Sequence, residues 1–238
     1  MEQQKTILSP QERRRRNRER NREEMQAAIL DAARAVMREE GVAALNLQEV
    51  ARRVGVRAPS LYEYFAGKAA IYDALFRLGV RLYAERLERL VQTSPSVWDY
   101  ARAGLENYMT FAQDYPELYQ LCFERPVPGF VPSEESMNES RQLLLGRGDQ
   151  IVEQGLEHGS LVPGLSPGEV RDLFLAMMHG LTALHLANEP ELPIGSGRFG
   201  SLIPAALALF QASWDPESSQ RAAQTAPDGS DPAPHSQE

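Results

Sequence analysis

Apolar residues recur three and four positions apart along most of the chain, the spacing that places them on one face of an α-helix. The clearest stripe runs from Met25 to Met37, and Gly41 is well placed to end that helix. Further helices are predicted over residues 46–54, 58–64, 68–91, 98–113, 116–124, 134–158, 168–187 and 199–214. Because no segment shows the strict alternation typical of a half-buried strand, the pattern predicts an all-α fold.

The first helix has two candidate starting points. Ser9, followed by Pro10 and Glu12, is typical of a capped helix start, with a glutamate three residues after the cap. Asn21, followed by Glu24, has the same spacing further along the chain. The first start makes the arginine-rich segment between them a helical extension, whereas the second leaves that segment as a mobile arm.

The charge of the chain is unevenly spread. Its 238 residues include 25 basic and 33 acidic side chains, and this net charge of -8 by itself argues weakly against a nucleic-acid partner. Residues 1–60, however, hold 13 basic and 9 acidic residues, or +4, and the remainder of the chain carries -12. Such asymmetry indicates a nucleic-acid-binding end on an acidic body.

The sequence argues against several classes of protein. Cys122 is the only cysteine, so the chain forms no internal disulfide, which is consistent with the reducing cytoplasm. The longest uncharged stretches, 173–188 and 199–214, each have 16 residues, short of the ~20 that a membrane-spanning helix needs. The N-terminal residues lack the apolar core of a secretory signal. We therefore expect a cytoplasmic protein with no membrane partner.

The segment from Asn46 to Phe65 is predicted to form two short helices joined by a turn that contains Gly55. Val50 and Leu61 are among the apolar residues that would pack the two helices together. This arrangement is typical of a helix-turn-helix, in which the second helix enters the major groove of DNA. Many helical hairpins share the pattern, so the motif alone leaves DNA binding and simple packing open.

The stretch GVAALNLQEVARRVGVRAPSLYEYFAGKAAIYDALF resembles the DNA-binding domain of the TetR family of transcriptional regulators, and the resemblance covers roughly residues 23–83. The positions that carry it are Gly41, Val50-Ala51, Gly55-Val56, Leu61-Tyr62, Phe65 and Lys68. Two positions depart from the family pattern. Asn46 replaces the usual threonine cap, and Arg57 replaces a common serine cap before the recognition helix.

The resemblance implies a recognition helix over residues 58–64 and a set of DNA-contacting residues. That set is Asn46, Arg57, Ala58, Pro59, Ser60, Tyr62 and Lys68. Arg57 would either read a guanine through two hydrogen bonds or contact a phosphate, and we favour the phosphate because at least half of protein–DNA hydrogen bonds go to the backbone. Tyr64 and Phe65 are expected in the core.

The basic segment from Arg13 to Arg22 has two interpretations. As an arm, it would bind phosphates or the minor groove and raise affinity without reading sequence. As a solvated helix face, its arginines would pair with Glu12, Glu19 and the neighbouring glutamates. We favour the arm.

The last two predicted helices indicate a dimer. Helix 168–187 is apolar on two faces and must be covered on both, and a second subunit is the natural second cover. The resemblance implies a homodimer through this helix and helix 199–214. Such a dimer would set two recognition helices ~34–36 Å apart, which predicts a palindromic operator in double-stranded DNA.

The middle helices are rich in aromatic residues, and the resemblance implies that they hold a small, mostly apolar effector. The candidate pocket residues are Tyr108, Phe111, Tyr119, Phe123, Met178 and His179. For each of them, ordinary core packing is the alternative. No spacing of histidines, cysteines or carboxylates predicts a metal site, and neither catalytic residues nor a cofactor are expected.

The resemblance thus implies a transcriptional repressor that a small-molecule effector releases from its operator by shifting helix 68–91. A small-molecule-binding helical enzyme is the alternative, although no nucleotide-binding glycine motif or nucleophile elbow supports it. The predicted divisions are a basic arm or helix extension at 1–22, the helix-turn-helix domain at 23–83, an effector-binding and dimerisation domain at 84–214, and a tail at 215–238. The tail has four prolines and no aromatic residue, which predicts disorder.

Overall fold

The computed structural model describes residues 9–159, 161 and 166–215. All regular elements in these residues are helices and none is a strand, which confirms the predicted all-α fold. The prediction of a disordered tail concerns residues that, after Asp215, lie outside the described part of the chain.

Ten α-helices follow one another in the described residues. They are α1 (Pro10–Glu40), α2 (Leu47–Arg53), α3 (Lys68–Thr93), α4 (Val97–Asp114), α5 (Pro116–Tyr119), α6 (Glu134–Ser140), α7 (Gly146–Glu157), α8 (Pro167–Asn188), α9 (Gly197–Gly200) and α10 (Ile203–Trp214). Two 3₁₀ helices lie at Val42–Ala44 and Ala58–Glu63, and two π-helical turns lie at Gln120–Glu124 and Arg141–Leu145.

Helix α1 begins at the earlier of the two candidate starts. The Ser9 side chain accepts a hydrogen bond from the Glu12 amide, and the Glu12 carboxylate accepts one of 2.7 Å from the Ser9 amide. This capping box satisfies two amides that a helix start otherwise leaves without partners. The arginine-rich segment is therefore the beginning of a long helix, the first of the two alternatives that the sequence left open.

Three predicted helices are interrupted. The helices predicted over 116–124 and 134–158 each contain a π-turn, which adds one residue to a helical turn. Ser136 of α6 and Val152 of α7 are buried on either side of the second of these π-turns. The helix predicted over 199–214 is divided into α9 and α10, because Pro204 at the start of α10 lacks the amide that would continue the preceding turn.

The described residues form two compact units. The first contains the residues up to Glu88 together with Thr110–Leu144, and the second contains Arg89–Met109 together with the residues from Leu145 on. The core of the first unit includes Ile29, Ala33, Val36, Met37, Val50, Leu61, Ile71, Leu75 and Leu118. The core of the second unit is built from Val152, Leu161 and Val170, with Trp98, Phe210 and Trp214 packed against them. The domain boundary predicted at residue 84 stays a prediction.

A buried carboxylate joins α1 to α5 within the first unit. Glu117 is 1% exposed. One of its oxygens accepts hydrogen bonds from Arg34 Nε and Arg38 Nη2, both of 2.9 Å, and the other accepts one of 3.1 Å from Arg38 Nε. A buried charge is costly unless it is paired and hydrogen-bonded, so the two arginines hold Glu117 and fix the second half of α1.

The aromatic ring of Tyr115 extends this cluster. The guanidinium of Arg34 lies 5.3 Å from the ring centroid and that of Arg86 lies 5.2 Å from it, so the ring contacts two cations. Arg86 also donates a hydrogen bond of 2.6 Å to Asp114. The junction between α4 and α5 is thereby tied to both α1 and α3.

Glu117→Gln should destabilise the protein strongly, because it removes the charge that compensates the largely buried Arg34. We expect a loss of about 3 kcal/mol in the free energy of unfolding, measured by urea denaturation at pH 7. The matched control, Asp114→Asn, breaks a more exposed pair with Arg86 and should cost less than about 1 kcal/mol. Equal losses in the two variants would contradict the structural role of Glu117.

Candidate nucleic-acid interface

The predicted helix-turn-helix is formed by α2 and the 3₁₀ helix Ala58–Glu63. Asn46 caps α2, since its Oδ1 accepts a hydrogen bond of 2.9 Å from the Gln48 amide. Gly55 has a φ of +73°, the left-handed conformation that lets the chain turn after α2. Val50 and Leu61 are buried and pack the two elements together, as the sequence predicts.

The recognition segment is a 3₁₀ helix rather than the predicted α-helix, and it ends at Glu63. Arg57, at its N-cap, makes no capping hydrogen bond with its side chain, and Pro59 in the first turn has no amide to donate. Because the start of the segment lacks a side-chain cap, α-helical geometry is less favoured there, and the six residues are wound as a 3₁₀ helix. The tighter winding changes which side chains share its outer face.

The seven residues predicted to contact DNA all retain some exposure. Asn46, Arg57, Pro59 and Tyr62 are exposed, and Ala58, Ser60 and Lys68 are half-buried. Tyr62 has 61% of its surface exposed, a large value for an aromatic residue that packing alone would have buried. The surface they form is available to a partner, and their contacts with DNA stay a prediction.

Two other arginines of the motif are already paired. Glu49 accepts hydrogen bonds of 2.6 and 2.7 Å from Arg52 and one of 2.7 Å from Arg53, and Arg53 also donates to Glu39 at 2.6 Å. The hydrogen bonds from Arg52, followed by that from Arg53, lower the pKa of Glu49 to about 2. Arg57 makes no ion pair with any described residue, so its charge remains available for an anion.

Lys68 begins α3, as predicted, at a place where exposed amides and the helix dipole favour an anion. Its Nζ donates a hydrogen bond of 3.2 Å to the carbonyl of Ala43 and lies 5.5 Å from the centroid of the Tyr72 ring. The Tyr72 hydroxyl donates one of 2.6 Å to Val42, and burial raises the pKa of Tyr72 to about 12. The ammonium group is therefore held in place by Ala43 and Tyr72.

Helix α1 contacts the end of the recognition segment, which the sequence did not reveal. Gln26 Nε2 donates a hydrogen bond of 3.3 Å to the carbonyl of Tyr64, and the guanidinium of Arg22 lies 5.7 Å from the centroid of the Tyr64 ring. Tyr64 and Phe65, which the sequence places in the core, are half-buried. No local pattern could predict a contact between residues 38 positions apart.

The basic segment of α1 is partly neutralised. Arg15 Nε lies 3.5 Å from Glu19 Oε1, and Arg20 Nε lies 3.4 Å from Glu24 Oε1. In each pair the residues are four positions apart on the helix. Pairs of this kind are expected of a solvated, charged helix face, the alternative to a DNA-binding arm. Whether the remaining arginines bind DNA is not tested by these contacts and stays a prediction.

The six candidate effector residues divide between the two units. Phe111, Tyr119 and Phe123 lie in the first unit, and Tyr108, Met178 and His179 lie in the second. Phe123 is 6.4 Å from Phe111 and 5.8 Å from Tyr119 between ring centroids. The Tyr108 hydroxyl and His179 Nδ1 are 3.1 Å apart and share a hydrogen bond. An effector-binding role for these residues stays a prediction.

The second unit also contains an apolar cavity of about 80 Å³ that the sequence did not predict. Its walls come from α4, α7, α8 and α10 and include Trp98, Val152, Phe174 and Phe210. The indole N–H of Trp98 is buried without a hydrogen-bond partner in the described residues. None of the six candidate effector residues lines this cavity.

In the part of the chain that the structure describes, little supports thiol chemistry, a metal site or a membrane span. Burial raises the pKa of Cys122 to about 12, so its thiol is a poor nucleophile at neutral pH. Across the described residues, no three metal-binding side chains gather into one group. The helices described are all too short or too polar to span a membrane.

Comparison with known proteins identifies the domain. Residues 29–75 match the family model of bacterial regulatory proteins, tetR family. The match begins in α1 and ends in α3, so it includes α2, the turn at Gly55 and the whole recognition segment.

Two curated relatives extend the match. The HTH-type transcriptional activator FasR of Mycolicibacterium smegmatis (strain ATCC 700084 / mc(2)155) is 29% identical over 103 residues, or 43% of this chain. The aligned segment spans about half of FasR, 47% of its length. The uncharacterized HTH-type transcriptional regulator YfiR of Bacillus subtilis (strain 168) is 21% identical over 164 residues, which cover 68% of this chain and 80% of YfiR.

Solved structures share the fold over most of the chain. A protein of unknown function from Rhodococcus sp. RHA1 has a TM-score of 0.66 and 21% identity, covering 88% of this chain and 97% of that one. The transcriptional regulator FadR from Bacillus subtilis, in complex with stearoyl-CoA, has a TM-score of 0.62 and 19% identity. The match covers 77% of this chain and 96% of FadR.

The family model and both curated relatives are regulators, and they give no support to the enzyme alternative. The motif residues that carry the resemblance lie within or beside the matched segment. Residues 29–75 therefore form a DNA-binding domain of the type found in the tetR family of bacterial regulatory proteins.

Proposed function

We propose that the protein is a dimeric transcriptional repressor that binds a palindromic operator and is released from it by a small, mostly apolar effector. The observation that carries the proposal is the exposed outer face of the recognition segment, where Arg57 has no ion-pair partner among the described residues and Tyr62 is 61% exposed. These two side chains, with Lys68 held nearby, supply two cations and one phenol hydroxyl to a phosphate-lined groove.

The apolar outer faces of α8 and α10 support a dimer. Helix α8 buries Val170 and Met178 on one side, while Leu173 and Leu184 are 47% and 46% exposed on another. On α10, Leu209 is 74% exposed. Exposed leucines on two helices that contact each other suit an interface, and a two-fold dimer would bring two recognition segments to one palindrome.

A relative supports the proposed effector class. The structure of FadR from Bacillus subtilis contains stearoyl-CoA, a ligand with a long apolar chain. The aromatic residues Phe111, Tyr119 and Phe123 of the first unit would suit such a ligand. Mass spectrometry of small molecules that co-purify with the protein would identify the effector.

The proposed control acts through α3. This helix begins at Lys68, directly after the recognition segment, and runs to Thr93. An effector that tilts α3 would change the distance between the two recognition segments of the dimer. The effector has this influence only if it binds one arrangement more tightly than the other. Repression is proposed as the family's commoner mode, and because FasR is named an activator, a reporter gene should be used to determine the sign.

Arg57→Ala should weaken binding to the operator by about 10-fold or more, because it removes a cation from the recognition face. Gel shifts with duplexes from the region upstream of the protein's own gene would measure the loss. Arg141→Ala, which removes an exposed arginine outside the helix-turn-helix, is the control and should bind as the wild type does.

The two interpretations of Arg57 give different results on a mixed-sequence duplex. If Arg57 contacts a phosphate, Arg57→Ala should weaken binding to the operator and to the mixed-sequence duplex alike. If it contacts a guanine, only binding to the operator should weaken. Wild-type affinity of Arg57→Ala for both duplexes would contradict a role for this residue.

Leu209→Glu should convert the dimer to a monomer without unfolding it, since a charge placed at a solvent-exposed position of the monomer is tolerated but is costly in an apolar interface. Light scattering coupled to size exclusion should give the mass of one chain, 26.6 kDa, instead of twice that mass. The control Val131→Glu alters a residue of equal exposure, 76%, on the loop before α6 and should leave the dimer intact. A monomeric wild type would refute the proposed dimer.

A further inference from the structure

The beginning of α1 presents three arginines on one face. Arg14, Arg18 and Arg22 recur every four residues, so they form one line along the helix, the basic stripe. With about 100° between successive residues, this line continues into Gln26 and the buried Ile29. The basic stripe therefore extends the face by which α1 packs against the helix-turn-helix.

The charges of the basic stripe are less compensated than those beside it. Arg15 and Arg20 pair with Glu19 and Glu24. Arg14 and Arg18 are exposed and make no ion pair with any described residue. In helical projection, the glutamates of this segment, which are Glu12, Glu19, Glu23 and Glu24, fall towards the other sides of α1.

The contacts of α1 give the direction in which the basic stripe extends. Towards its C-terminal end, Arg34 and Arg38 bind the buried Glu117. Two to three turns earlier, Gln26 and Arg22 contact Tyr64, which follows the recognition segment. The turns before Arg22 therefore continue past the recognition segment, away from Glu117, and Arg14 lies about 12 Å further along the helix axis than Arg22.

We propose that the basic stripe binds the phosphate backbone of the DNA that flanks each half-site. This inference rests on the proposed DNA-binding function and adds a second contact surface to it. Three cations on one rigid helix face, with few carboxylates among them, are complementary to a polyanion and release counterions when they bind it. The capping box of Ser9 and Glu12 keeps the segment helical, so the three guanidinium groups are presented together.

The test compares two double variants that change the net charge by the same amount. Arg14→Ala with Arg18→Ala removes two stripe residues, and Arg13→Ala with Arg20→Ala removes two arginines that project from the opposite side of the same helix. Both use alanine, the strongest helix former, and circular dichroism would verify that α1 is retained. Fluorescence anisotropy would measure the binding of a labelled 40-base-pair mixed-sequence duplex at several salt concentrations.

The stripe variant should lose roughly 10- to 50-fold in affinity at 0.1 M salt, and the slope of log affinity against log salt should become shallower by about two. The control variant should change the slope by less than one. Equal changes in both variants would show a general effect of charge and would overturn the inference, as would an unchanged stripe variant. Failure of the wild type to bind DNA would instead refute the proposed function itself.

Discussion

The pairing of Glu117 with Arg34 and Arg38 is the constraint on which the first unit depends. A carboxylate that is 1% exposed requires cationic partners at fixed positions, and both partners lie one turn apart on α1. This requirement sets the rotation of α1 about its own axis. Once that rotation is set, Ile29 faces the core and Gln26 faces Tyr64 at the end of the recognition segment. Helix α1 is therefore a rigid connection from the α5 region to the proposed DNA-reading surface.

Local signals in the sequence predicted the elements well, and the contacts between elements poorly. Ser9 and Asn46 cap their helices as predicted, because a cap depends on residues two or three positions away. The Arg34–Glu117 pair joins residues 83 positions apart, and each partner alone is typical of an exposed helix. Only the packed fold shows which charges are buried, so the cluster of Glu117, Arg34 and Arg38 could not be predicted from the sequence. The family resemblance supplied the candidate DNA contacts, and the structure supplied their exposure.

The change from the predicted α-helix to a 3₁₀ helix has one contributing cause that could be read from the sequence. Arg57 offers no capping oxygen, so the start of the recognition segment lacks a side-chain hydrogen bond that favours α-helical geometry. The π-turns have no comparable local signal. They are visible only in the folded backbone, at Gln120–Glu124 and Arg141–Leu145.

The short recognition segment also bears on how specificity would arise. Ala58, Pro59 and Ser60 are small residues that offer few donors to base edges, so each half-site would be read by few direct contacts. Affinity would then depend on cations outside the segment, which add binding free energy to any sequence. Discrimination would have to come from requiring two half-sites at one spacing, a condition that only a dimer imposes. A regulator built in this way is sensitive to small changes in the geometry of its dimer, because the spacing is a large part of what it reads.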